Sequence, residues 1–130
     1  MGMLDGLFSS SNYQVAKKLM DVSVLKNEAV ARNIANSNTP GYRRVEVDSS
    51  FDHHLKRMLQ SGDISDIDSL TPEIKVDSDA VSRRDDGNTV EIDKEMLDMN
   101  RNELEIQFLS QYLTGRFKSI KGAIKGSSGS

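Results

Sequence analysis

An isoleucine, methionine or leucine recurs at every seventh position over the last third of this chain: Ile92, Met99, Ile106, Leu113 and Ile120. A β-strand cannot keep such a period, because its side chains alternate faces at every second residue. Met96, Leu109, Phe117 and Ile124 fill companion positions three or four residues away. The spacing predicts one long helix over 90–125 with a coiled-coil-like seam. Asp93 suits its N-cap. Acids crowd its first half, and Arg116, Lys118, Lys121 and Lys125 crowd its end, the order that the helix dipole favours.

The same segment carries a second apolar row, Leu97, Leu104, Phe108 and Tyr112. At about 100° per residue this row is centred roughly opposite the heptad seam. A helix apolar on two sides has to be covered on two sides. One partner helix inside the chain covers only one of them, so the second row points to further partners, of which copies of the chain itself are the simplest. Taken alone, the heptad row is equally compatible with an intramolecular helical hairpin.

That inner partner is predicted over Ser11–Asn36. Val15, Ala16, Leu19, Val22, Ala29, Val30 and Ile34 fall within an arc of about 140° at the helical period. Ser10 or Ser11 suits the N-cap. Asn36 and Asn38 favour caps and turns, Pro40 pushes Thr39 out of the helical region, and Gly41 follows. Thr39-Pro40-Gly41-Tyr42 has the residue order of a type II turn.

Between the helices the chain changes character. Segment 47–90 holds ten acidic and five basic residues, whereas 1–46 holds four and six, and 91–130 holds six of each. Phe51, Leu55, Met58 and Leu59 predict a short amphipathic helix, Glu73-Ile74-Lys75-Val76 a short strand, and Asp85-Asp86-Gly87-Asn88 a turn. The rest is Ser- and Asp-rich and reads as mobile in an isolated subunit. With 36% hydrophobic residues and only seven aromatics, four Phe and three Tyr, the chain is thinly supplied for a globular core. The expected fold is mainly α: two long terminal helices side by side, with a polar, partly disordered or short-strand middle. The expected organisation is 1–42 for the first helix and its turn, 43–89 for the acidic middle, 90–125 for the heptad helix and 126–130 for a Gly/Ser tail.

Several functions find no support. A net charge of −3 offers no polycationic surface for nucleic acid. No apolar run approaches the roughly 20 residues of a membrane span, and the start lacks the pattern of a cleaved secretory signal. Without Cys there is no disulfide framework or thiol chemistry. His53 and His54 are adjacent, so on a helix they diverge, and no third His joins them for a metal. Asp66/Asp68 and Asp77/Asp79 lack the glycine and terminal glutamate of a calcium loop and read as solvated. Arg43-Arg44 and Arg83-Arg84 read as surface pairs beside acids. No P-loop, G-x-S-x-G or H-E-x-x-H is present. The expectation is a non-enzyme without cofactor, metal or small-molecule substrate.

One stretch carries a resemblance. Asn33-Ile34-Ala35-Asn36-Ser37-Asn38-Thr39-Pro40-Gly41-Tyr42, at the end of an N-terminal helix, resembles the signature of the flagellar axial proteins, the rod, hook and hook-associated subunits. Leu4-Asp5-Gly6-Leu7-Phe8, and the region from Gly87-Asn88-Thr89-Val90 through Glu95-Met96 and Asn102 to Ile124, are similar to proximal-rod members of that family. Together these cover about two-thirds of the chain, and the acidic middle adds nothing to them. The resemblance implies a structural subunit whose terminal helices pair and stack with neighbours into the tube of the rod and transmit torque from the membrane ring. It implies export by the flagellar type III apparatus without signal cleavage, and residence in the periplasmic rod of the basal body. Implied partners are copies of itself, other rod subunits, and the adaptor joining ring to rod. The implied assembly residues are Val15, Leu19, Val22, Ala29 and Ile34 on the first helix. On the last they are Met99, Ile106, Leu113, Phe117 and Ile120, with Leu97, Leu104, Phe108 and Tyr112 behind. Asn33, Asn36, Asn38, Thr39, Pro40, Gly41 and Tyr42 form the signature turn. Another axial subunit such as rod protein C, or a soluble coiled-coil adaptor or export chaperone, would share much of this pattern.

Overall fold

The computed structural model describes residues 10–128, with side chains from 12 to 115. Helix α1 spans Ser10–Ala35 and helix α3 spans Ile92–Ser128. Between them lie strand β1 (Val45–Val47), helix α2 (Ser49–Ser61), a single 3₁₀ turn at Ile67–Ser69 and strand β2 (Ile74–Val76). Helix α1 is 26 residues and α3 is 37, or about 39 and 55 Å at 1.5 Å per residue. Since Glu95 near the start of α3 touches Asn33 near the end of α1, the two helices run antiparallel.

Both long helices appear where the hydrophobic period places them, and they pack on one another as expected. Their ends differ in detail. Helix α1 already includes Ser10, so its cap lies outside the described residues, as does Leu4-Asp5-Gly6-Leu7-Phe8. Helix α3 starts at Ile92, which puts Asp93 inside the first turn, where its charge meets the helix dipole instead of capping an amide.

The acidic middle is more ordered than its composition suggests. Phe51 and Leu55 of α2 and Ile67 of the 3₁₀ turn join Val22 of α1 in a buried cluster. Val15, Leu19, Val47, Met58, Ile64 and Leu70 pack partly buried around it. Helix α2 is held at both ends. The Asp48 carboxylate accepts from the Ser50 amide at 3.1 Å, and Gly62 closes the helix at φ 77°, its amide donating to Met58 O at 3.0 Å. Strands β1 and β2 pair antiparallel with Glu46 opposite Lys75. His53 and His54 lie on the exposed side of α2.

Candidate functional site

The seam between α1 and α3 is not the uninterrupted apolar ladder that the heptads predict. Among the described side chains of α3 the deeply buried ones are Glu95, Asn102 and Leu109, flanked by the half-buried Met99, Ile106 and Leu113. Ile92 and Met96 stand 41% and 55% exposed, so the seam is turned by about one residue from its expected centre. The reason is chemical: the first turns of α3 face a polar cluster, and Glu95 enters it.

Asn33, the first residue of the signature string, is fully buried and uses its whole hydrogen-bonding capacity. Its Nδ2 donates to Val45 O at 2.8 Å and to Glu95 Oε2 at 3.1 Å. Its Oδ1 accepts from the Val45 amide at 2.8 Å and from the Tyr42 hydroxyl at 3.1 Å. The side-chain amide thus pairs with Val45 as a neighbouring strand would, welding α1 to β1. The other Glu95 oxygen accepts from Arg44 Nε at 2.8 Å, and the same guanidinium reaches Asp77. Burial works against charge on Arg44, but its bonds to Glu95 and Asp77 outweigh that and hold it protonated more firmly than a free arginine. Burial likewise raises the Tyr42 hydroxyl above its ordinary value, against the pull of Arg32, and favours it as a neutral donor. The expectation that Arg44 and Asp77 are solvated surface charges is therefore corrected: their side chains are only 19% and 15% exposed. Asp79 stays at the surface.

A second knot joins the signature turn to the segment before α3. The Tyr42 amide donates to Thr39 O at 3.2 Å, and Gly41 sits at φ 72°, completing the type II turn. Asn88 is buried, and its Nδ2 donates to the carbonyls of Asn36 (2.9 Å), Ser37 (3.2 Å) and Thr39 (2.8 Å). These carbonyls lie just past the end of α1, and those of Asn36 and Thr39 also accept the Thr39 and Tyr42 amides. The Gly41 amide donates to Asp86 O at 2.8 Å, Thr89 N to Tyr42 O at 3.0 Å, and Arg44 N to Thr89 Oγ1 at 2.8 Å. The signature string and Gly87-Asn88-Thr89-Val90 are thus two halves of one clasp. Within it Asn33 is enclosed and Tyr42 half-buried, Asn36 holds Arg32 O, and Asn38, Thr39 and Pro40 are left at the surface.

The proposed assembly residues separate into two groups. Val22 and Ala29 are buried within the chain, and Val15, Leu19 and Ile34 partly so. Met99, Ile106, Leu113 and Tyr112 are half-covered. Leu97, Leu104 and Phe108 are 50%, 67% and 69% exposed among the described residues. Phe117 and Ile120 belong to the stretch whose side chains lie outside the described residues. Glu95, Arg44, Asn88 and Thr89 carry the clasp, and no periodicity singles them out. Glu95, Asn88 and Thr89 do lie in the stretch that resembles proximal-rod members.

The clasp residues are shared out along the whole chain, and so is its likeness to known proteins. Flagellar basal body rod protein FlgB of Bacillus subtilis (strain 168) is 30% identical over 125 residues, covering 90% of this chain and 95% of that protein. The chain belongs to the FlgB family. The FlgB of Escherichia coli (strain K12) is 27% identical over 139 residues, covering 95% of this chain and 98% of that protein. The FlgB of Borrelia hermsii is 26% identical over 129 residues, covering 85% and 93%. No family model matches the chain. Membership makes the signature turn part of a flagellar basal-body rod protein, a structural component, and the match spans the acidic middle as well as the helices.

Proposed function

We propose that this chain is a self-assembling subunit of the proximal rod, in which the outer face of α3 meets neighbouring subunits. One observation carries this reading: Leu97, Leu104 and Phe108 stand exposed on the side of α3 opposite Glu95, Asn102 and Leu109. A helix with an apolar outer side presents surface that water penalises, at about 25 cal/mol per Å² left uncovered. Burial between subunits removes that penalty and spreads load over many contacts, as torque transmission from the membrane ring requires. The clasp supports the same reading, because it ties the ends of both helices to β1 so that the pair moves as a unit. Partners in this reading are copies of the chain, other rod subunits, the ring-to-rod adaptor and, on the way out, the flagellar export apparatus. Its place is the periplasmic rod, reached without a cleaved signal peptide.

The test is Phe108→Glu. The subunit should keep its helical circular dichroism and melting point, yet be missing from isolated basal bodies, with motility lost. Normal incorporation would rule out the outer face of α3 as an assembly surface, and a stable small oligomer that never elongates would favour an adaptor.

A further inference from the structure

We propose that the surface received by the α3 stripe is the outer face of α1 in a second copy of the chain, met antiparallel. This rests on the rod-subunit reading and specifies its contact. On α3, Leu97, Leu104, Phe108 and Gly115 follow one another at spacings of seven, four and seven, and nothing lies within 4 Å of a Cβ built on Gly115. On α1, Tyr13, Met20, Val24 and Ala31 repeat the same seven, four and seven. Val24 is 54% exposed, Ala31 is exposed, and Tyr13 and Met20 are half-buried. At about 100° per residue each set keeps to an arc of about 40°, away from the buried side of its helix. Alternating sevens and fours amount to about 3.67 residues per turn, close to a straight helix, so two such stripes stay in contact without strong supercoiling.

Side-chain size decides the direction. Antiparallel docking sets Leu97 on Ala31, Leu104 on Val24, Phe108 on Met20 and Gly115 on Tyr13. Bulk is shared evenly, and the Tyr13 ring lands where α3 has no side chain. Parallel docking would set Leu97 on Tyr13 and Gly115 on Ala31, overfilling one end and leaving a void at the other. Antiparallel is also the sense in which α1 and α3 already pack within the chain, so α3 would lie between its own α1 and its neighbour's. The two faces differ, so the contact is head-to-tail and propagates instead of closing into a pair. Packing α3 on α3 would oppose bulk to bulk and leave the α1 stripe bare.

The chain has no cysteine, which makes the contact testable by cross-linking. Leu104→Cys and Val24→Cys, co-expressed and oxidised in isolated basal bodies, should give a disulfide dimer, and neither should give one alone. A dimer from Leu104→Cys alone, or none from the mixture, would overturn the contact. Gly115→Leu gives a second reading, since leucine suits a helix better than glycine and a Cβ there meets no described atom within 4 Å. The variant should fold yet enter rods roughly tenfold less, the weight of an overpacked side chain, with Tyr13→Ala restoring entry. Unreduced entry, or no rescue, would also overturn the contact. If Phe108→Glu is excluded from rods while these results fail, only the counter-surface falls. If Phe108→Glu enters normally, the outer face of α3 is not an assembly surface and the reading beneath this contact falls too.

Discussion

The two sides of α3 invert the usual arrangement of a soluble helix. The side turned inward begins with Glu95 and Asn102, both buried, before it reaches Leu109. The side turned outward carries Leu97, Leu104 and Phe108 at half exposure or more. Polar groups inside give a unique register, since Glu95 finds its partners in one alignment of α3 against Asn33 and Arg44. Apolar groups outside have no such selectivity and act only once a complementary surface arrives. The comparison teaches that the inner side defines the subunit and the outer side prepares it for assembly.

The largest way to break this contrast is Glu95→Ala. It would leave Arg44 buried without its principal partner and strip one acceptor from Asn33. Removing one member of a buried pair costs about 3–5 kcal/mol, a large share of a small domain's stability. Urea unfolding monitored by circular dichroism should show the midpoint collapse, and an unchanged midpoint would mean that the clasp does not set the register. Gly41→Ala comes next. A Cβ there meets no atom within 4 Å, so the cost is the left-handed backbone alone, about 1 kcal/mol. A loss several times larger would mean that the turn carries more than its own conformation.

Acid supplies a subtler probe on the other flank of the fold. The Lys75 ammonium, with the Ser50 amide, holds the Asp48 carboxyl down to about 2 from its ordinary value of 3.8. Because the folded value lies below the unfolded one, this contribution is present above about pH 4 and lost as pH falls towards 2. Asp48→Asn keeps a capping oxygen but cannot titrate, so the acid limb of its stability profile should be flatter. An identical limb would remove Asp48 from the account. The smallest effect sharpens the comparison from the outer side: Leu104→Gln should change monomer stability by less than about 0.5 kcal/mol. A larger loss in a melt of the isolated subunit would show that Leu104 is already covered there.

Both long helices were legible in the sequence, α1 to within a residue at each end and α3 to within two or three, because the 3.6-residue period of apolar side chains reports directly on burial. So were the type II turn at Thr39–Tyr42 and α2, each encoded by residues adjacent in the chain. The burial of Ile67 was not legible: it stands alone between Asp66 and Asp68, with no period to mark it. Glu95 read as one of several acids near a helix start, and Arg44 as half of a surface pair. Nothing local tells a buried charge from a solvated one, since the difference lies in what another segment brings to it.

The sequence by itself therefore determined the places of α1 and α3, the apolar face and stop of α1, and the presence of a second apolar row on α3. Those are properties of neighbours within a few residues, set by helical geometry and turn chemistry. Only the tertiary structure decided the rotation of α3 about its axis and the closing of Asn36–Tyr42 by Asn88. It also decided that Leu97, Leu104 and Phe108 are the residues left over. Each depends on polar atoms about 50 or more positions apart in sequence meeting at hydrogen-bond distance, a condition that desolvation enforces but no local pattern records.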